Sequence, residues 1–243
     1  MKTIGFVYDA DKTLFVGDAP NLLLYQQGIT DLNTFWGNVD QQRKNDECPS
    51  LAYIKCLLDA GCDLSYDNLK LMGAEIKMFP GLPDFFDRVN HHAAQRNLSA
   101  EHYIISAGLK GLIDGSPIAD RLTKVYACHL DNGWPINIVN DTMKTGHLAD
   151  IYKGVPHGRV TRNTKGARHI AYHDMLIFGD GMTDVPMLVF GKNNGAQCFA
   201  VYDANDSQAQ QLYNEGRVHH AVKADYREGS TLDLLVKQRI DQL

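Results

Sequence analysis

Short apolar runs recur along the chain at Ile4–Tyr8, Tyr103–Ile105, Met175–Phe178, Cys198–Val201 and Val218–Val222. Runs of this length read as buried strands, and helical patterns follow most of them. Between Leu82 and Gln95, the residues Leu82, Phe85, Phe86 and Val89 recur at helical spacing, and Pro80-Gly81 marks the start of that helix. Buried strands alternating with helices imply a parallel sheet covered on its faces. The pattern therefore predicts an α/β, Rossmann-like core.

Two excursions interrupt the alternation. About 65 residues without strand-like patterning separate the first strand from the Leu82 helix, too many for an ordinary connection in such a sheet. An inserted α-helical domain over 16–79 accounts for them and leaves 1–15 and 80–243 as the Rossmann-like core. Its helices are predicted over Leu22–Gln27, Leu51–Ala60 and Tyr66–Met78, with turns at Gly28, Gly37, Cys48-Pro49 and Gly61. Phe35 and Trp36 are read as core of this insertion rather than as a binding platform. The second excursion is a β-hairpin, with Lys124–Leu130 and Trp134–Asn140 flanking Asp131-Asn132-Gly133. Helix resumes at Met143. Residues 154–173 form a Gly-rich basic loop with Arg159, Arg162, Lys165 and Arg168, read either as solvated or as a lid favouring anionic substrates.

With 243 residues, 44% of them hydrophobic, the chain can bury a sizeable core. A formal net charge of -5 and a pI near 6.0 provide no basic field, which argues against nucleic acid as partner and for a small molecule. No window approaches the roughly 20 apolar residues of a membrane span, so no membrane is expected and the chain reads as cytoplasmic. The five cysteines form no C-x-x-C unit and read as reduced, mostly buried thiols rather than zinc ligands or nucleophiles. His91-His92 and His219-His220 read as surface residues.

Chemistry concentrates at strand ends. The first strand closes on Y-D-A-D-K-T-L, so Asp9 and Asp11 emerge at the carboxyl end of a parallel strand, where open α/β sheets bind ligands. One carboxylate there can attack phosphorus while a second delivers a proton to the leaving oxygen and later takes one from water. The run I-F-G-D-G-M-T-D-V-P places Asp180 at a strand end and Asp184 four residues on, one turn into a helix starting near Gly181. Magnesium uses hard oxygen ligands and few carboxylates, so Asp9, Asp180 and a backbone carbonyl suffice for it. Both acidic pairs also fit plain helix capping. In Y-I-I-S-A-G, Ser106 can hold phosphate oxygens at a helix amino terminus or simply cap that helix. A transferring phosphoryl group also needs a cation, and Lys144, Lys153 and Lys165 compete for that role.

Taken together, these motifs resemble the haloacid dehalogenase-like hydrolase superfamily, in its phosphoserine-phosphatase-like branch, over essentially the whole chain. D-A-D-K-T matches D-x-D-x-T at Asp9, Asp11 and Thr13, I-I-S matches the second motif at Ser106, and G-D-G-M-T-D matches the acidic motif at Asp180 and Asp184. The resemblance implies Asp9 as nucleophile and Asp11 as general acid and base. It also implies Mg2+ on Asp9, Asp180 and the main-chain carbonyl of Asp11, with Asp184 in support. The family's lysine motif favours Lys144, although the stretch from Lys144 to Gly179 is long for it and keeps Lys153 and Lys165 in contention. Dehalogenases of the superfamily lack the second aspartate, so Asp11 points to phosphate chemistry on a small phosphorylated substrate. A phosphotransferase or phosphomutase with the same intermediate, and a non-catalytic scaffold of the same fold, remain as alternatives.

Overall fold

The computed structural model of the protein describes residues 1–44, 48–131, 133–154, 168–205 and 207–243. Strand β1 (Lys2–Tyr8) is buried from Ile4 onward on both faces, which requires a neighbour on each edge and a cover on each side. It has both. The sheet runs β4 (Trp134–Asn137), β3 (Lys124–Asp131), β2 (Leu98–Leu109), β1, β5 (Met175–Gly179), β6 (Gln197–Tyr202), β7 (His220–Lys223), and only β4 is antiparallel to its neighbour. This is the expected Rossmann-like parallel sheet with its hairpin excursion. Asn132, at the hairpin turn, lies outside the described residues.

Strand β1 lies inside the sheet, with β2 on one side and β5 on the other. The strand order therefore switches direction beside β1, where a crevice opens at the carboxyl ends of the strands. Register carries the ends of β1 and β5 to a common level beside the middle of β2: Tyr8 lies opposite Ile104 of β2 and Phe178 of β5. Aromatic stacking fixes that level from below. Tyr8 stacks on Phe178 with ring centroids 4.9 Å apart, and Phe178 stacks on Phe199 at 4.7 Å. Helix α5 (Asp84–Ala94) adds Phe85, Phe86 and Val89 to the same core, the spacing read from the sequence.

Residues 16–79 contribute four helices and, among the described residues, no strand of the main sheet: α1 (Asn21–Gln26), α2 (Leu32–Arg43), α3 (Pro49–Asp59) and α4 (Tyr66–Gly73). Two readings are corrected here. Gly37 is not a turn but lies inside α2, a helix missing from the expectations, and α4 stops at Gly73 rather than running to Met78. The physical reason for the first is that α2 buries only Phe35 and Val39, so its apolar stripe is too thin to stand out. Its start signal is nevertheless present: Asp31 accepts the Thr34 N–H at 3.1 Å.

The two ends of the 16–79 segment are hydrogen-bonded across to each other. Val16 N–H donates to the Lys77 carbonyl at 2.8 Å and Phe79 N–H to the Leu14 carbonyl at 3.0 Å. A second attachment lies at α4, which packs on α6 (Lys110–Gly115) of the core at backbone contact. A Cβ at Gly115 would run into the Lys70 carbonyl, so only glycine permits this approach. Tyr66 adds a 2.6 Å hydrogen bond to Asp114 across the same seam. The remaining helices, α7 (Asp141–Lys153), α8 (Val185–Asn193), α9 (Ser207–Asn214) and α10 (Thr231–Ile240), pack with the sheet and with each other. Among the described residues, no helix is long and apolar enough to cross a membrane.

Candidate active site

Asp9 follows β1 directly, and its N–H donates to the Phe178 carbonyl at 2.9 Å, extending the β1–β5 ladder by one bond. That bond sets Asp9 beside the strand end that carries Gly179 and Asp180. After Asp9 the chain curls back on itself, with Leu14 N–H donating to the Ala10 carbonyl and Lys12 N–H to the Gly17 carbonyl. Lys12 takes the left-handed conformation needed for this curl, with φ of 55°. The curl fixes Asp11, whose Oδ1 accepts the Ala19 N–H at 2.9 Å. Thr13 is fully buried within the curl, and its carbonyl accepts the Tyr226 hydroxyl at 2.7 Å.

Lys144 lies in the first turn of α7, which is capped by the Asn140 side chain on Met143 N–H. Its ammonium is 1% exposed and donates to Asp9 Oδ1 at 2.9 Å and to Asp184 Oδ1 at 2.7 Å. Asp184 closes a short 3-10 turn (Met182–Asp184) ahead of α8, and its Oδ2 accepts the N–H groups of Asp180 and Gly181. Gly179 makes room for it: a Cβ there would sit 2.5 Å from Asp184 Oδ2. Carboxylate oxygens of Asp9, Asp180 and Asp184 come within 4.8 Å of one another.

The charges in this cluster are poorly matched without a second cation. Burial opposes the charge on Lys144, but Asp184 and Asp9 outweigh it and hold the ammonium above its ordinary range. Asp180 is raised by burial, then by repulsion from Asp184 and Asp9. Asp184 is raised by burial and by Asp9, against the pull of Lys144 and the Gly181 N–H. Three clustered carboxylates sharing one ammonium, with oxygen donors only, form a donor set suited to a hard divalent cation. Asp11 is raised to about 7, chiefly by burial and further by Asp18 and Asp9, with the Ala19 hydrogen bond acting against it.

Ser106 enters the same cavity by a route the sequence did not suggest. It caps no helix, because β2 continues through Leu109 and α6 starts only at Lys110. Instead, the pairing of β2 with β3 breaks between Ile105 and Leu109, so residues 106–108 bulge out of the ladder at the site. Within the bulge Gly108 N–H donates to Ser106 Oγ at 3.0 Å.

Asp9, Asp11, Ser106, Lys144 and Asp180 thus line one cavity of about 440 Å³. Lys153 does not join them. It sits at the far end of α7 with its ammonium 5.6 Å from the Tyr152 ring centre, and Lys165, Arg159 and Arg162 lie outside the described residues. A larger hollow between α2 and α3 contains none of the motif residues.

The cavity also takes residues that no motif indicated: Lys12, Asp18, Trp36, Arg43, Tyr53 and Gln208. Trp36 corrects the reading of it as core alone, since it packs against the core and also walls the site. The Asp31-x-x-Thr34 cap would have revealed α2, and the seven-residue spacing of Trp36 and Arg43 then puts both on one helix face.

No protein-family model matches the chain. An uncharacterized protein of Borreliella burgdorferi is 27% identical over 275 residues, covering 98% of this chain and 96% of that protein. Among solved structures, a HAD family hydrolase from Salmonella enterica serovar Typhi superposes with a TM-score of 0.67 at 15% identity, covering all of this chain and 74% of that one. A phosphoserine phosphatase in its apo form gives 0.62 at 16% identity, covering 93% and 97%. A phospho-aspartyl intermediate analogue of phosphoserine phosphatase gives 0.62 at 15%, covering 98% and 99%. The chain has the fold of these haloacid dehalogenase-type (HAD) hydrolases and phosphatases.

Proposed function

We propose that this chain is a magnesium-dependent phosphomonoesterase of the haloacid dehalogenase type, acting on a small phosphorylated molecule through an aspartyl-phosphate on Asp9. The observation that carries the reading is the buried ammonium of Lys144, bonded to both Asp9 and Asp184. Such an ammonium holds the nucleophile's rotamer and offers positive charge where phosphoryl oxygens would lie. The shared fold with phosphoserine phosphatases supports the same reading.

In this scheme Asp9 Oδ1 stays on Lys144, and Oδ2 attacks phosphorus as the ester P–O bond breaks. Asp11, held by the Ala19 N–H, passes its proton to the leaving oxygen. Asp11 then takes a proton from water, whose oxygen attacks the phosphorus on Asp9 and releases phosphate. Ser106 Oγ, which accepts the Gly108 N–H, donates its own proton to a peripheral oxygen. Magnesium, on Asp9, Asp180 and the Asp11 carbonyl with Asp184 in support, would offset repulsion between the carboxylate and the phosphate dianion. The helices of 16–79 serve as the cap that excludes water and reads the substrate.

A phosphate-release screen over many phosphomonoesters with magnesium, using Asp9→Asn as the blank, tests this reading. Release that depends on Asp9 supports it. Turnover undiminished in Asp9→Asn refutes it, and phosphoryl groups appearing on a second substrate instead of in solution would make the chain a phosphotransferase.

A further inference from the structure

Among its charged groups, the cavity that holds Asp9 and Asp180 also carries two aromatic side chains from the helices of 16–79. Trp36 of α2 and Tyr53 of α3 both line it, with ring centroids 6.3 Å apart and planes 37° from parallel. Each ring has its polar tip engaged elsewhere. Trp36 Nε1 donates to Asn21 Oδ1 at 3.0 Å, and the Tyr53 hydroxyl donates to the Ala107 carbonyl at 3.2 Å. What remains for a ligand is ring carbon, held in a fixed orientation. The Tyr53 bond ends on the residue after Ser106, so the aromatic wall is tied directly to the bulge that faces the phosphate. Phe35 packs edge-on against Trp36 at 5.2 Å and 85°, bracing the indole from within the insertion. Met182, half-exposed, adds a polarizable side chain to the same cavity from the core side.

We infer that the alcohol portion of the substrate carries a flat aromatic or heteroaromatic ring that stacks on Trp36. This rests on the phosphatase reading of the cavity and deepens it to a substrate class. An aliphatic ester of equal size fills the same space but gains no stacking against rings preorganised in this way.

The test separates ring character from size and from turnover. Benzylphosphonate and cyclohexylmethylphosphonate share size and charge and cannot be hydrolysed, and they differ in that only the first carries a flat ring. Calorimetric titration of the whole protein with magnesium should show benzylphosphonate binding about tenfold tighter. Trp36→Leu should bring the two within about twofold, and Trp36→Tyr should keep most of the difference. In a Trp134→Phe protein, where Trp36 is the remaining tryptophan, benzylphosphonate should shift the emission. Equal affinities in the unmodified protein, tighter binding of the saturated ligand, no binding of either, or unchanged Trp36 emission at saturation would each overturn the inference. The phosphatase reading is judged apart from it, by phosphate release from benzyl phosphate against the Asp9→Asn blank. Ring preference without release from any phosphomonoester defeats that reading and with it the substrate class, whereas release without ring preference defeats the inference alone.

Discussion

Lys144 Nζ lies 2.7 Å from Asp184 Oδ1, in a pair whose side chains are 1% and 0% exposed. So deep an ion pair costs desolvation on both sides and is a poor stabiliser compared with apolar packing. Its geometry is explained better by what it positions, since the same ammonium also holds Asp9.

Lys144→Met follows from that view. It leaves Asp9 and Asp184 without their shared cation, so it should cost about 3–5 kcal/mol of stability in metal-free protein. It should also lower turnover by roughly 10²–10³-fold. Chemical denaturation and phosphate release measure the two effects. A stable variant with full activity would show that the lysine is neither a support nor a phosphate ligand.

Gly179→Ala tests how narrowly Asp184 is placed. The added methyl would fall 2.5 Å from Asp184 Oδ2 and push the carboxyl off the Asp180 and Gly181 N–H groups. A displacement of this size should reduce kcat roughly 10²-fold while the protein still folds. Circular dichroism alongside a rate measurement separates this from unfolding.

Stability should depend on pH and metal together. Asp11 moves from an ordinary 3.8 to about 7 in the folded chain, and Asp180 and Asp184 are raised as well. Across that window the native state holds more protons than the unfolded chain, so metal-free stability should fall as pH climbs from about 4 to above 7. Magnesium binds the deprotonated carboxylates, so the rise in Tm that it causes should be larger at pH 8 than at pH 5. A magnesium shift that is equal at both pH values, or absent, would contradict the assignment of the cluster.

Asp11 should also govern the rate profile. As the donor to the leaving oxygen it must be protonated, so turnover of alkyl phosphates should decline as pH rises through about 7. Asp11→Asn should lower that turnover by roughly 10²–10⁴-fold and abolish the alkaline decline. A variant that keeps the decline would assign the proton to another group.

The acidic motifs were legible because each is contiguous and ends a buried strand, where Asp9, Ser106 and Asp180 are brought level by parallel pairing. The parallel core was legible for the same reason. The sequence leaves Lys144 among rivals, since its place beside Asp9 comes from where α7 lies in the fold rather than from any local spacing. Helix α2 is faint in the sequence because two buried residues make a weak stripe, and the place of Trp36 in the cavity wall is faint with it. The bulge at 106–108 is a matter of β2–β3 register, which nothing near Ser106 in the sequence records.

The most direct test of the account is to look for the phosphoryl group on Asp9 itself. Asp11→Asn protein is mixed with p-nitrophenyl phosphate and magnesium, quenched in acid and mapped by peptide mass spectrometry. Nitrophenolate leaves without a proton while water attack still needs the Asp11 base, so the intermediate should accumulate. The account requires one added phosphoryl group on the peptide bearing Asp9, absent from the Asp9→Asn, Asp11→Asn double variant. Nitrophenolate release with Asp9 unmodified throughout, or the phosphoryl group on another residue, would contradict it.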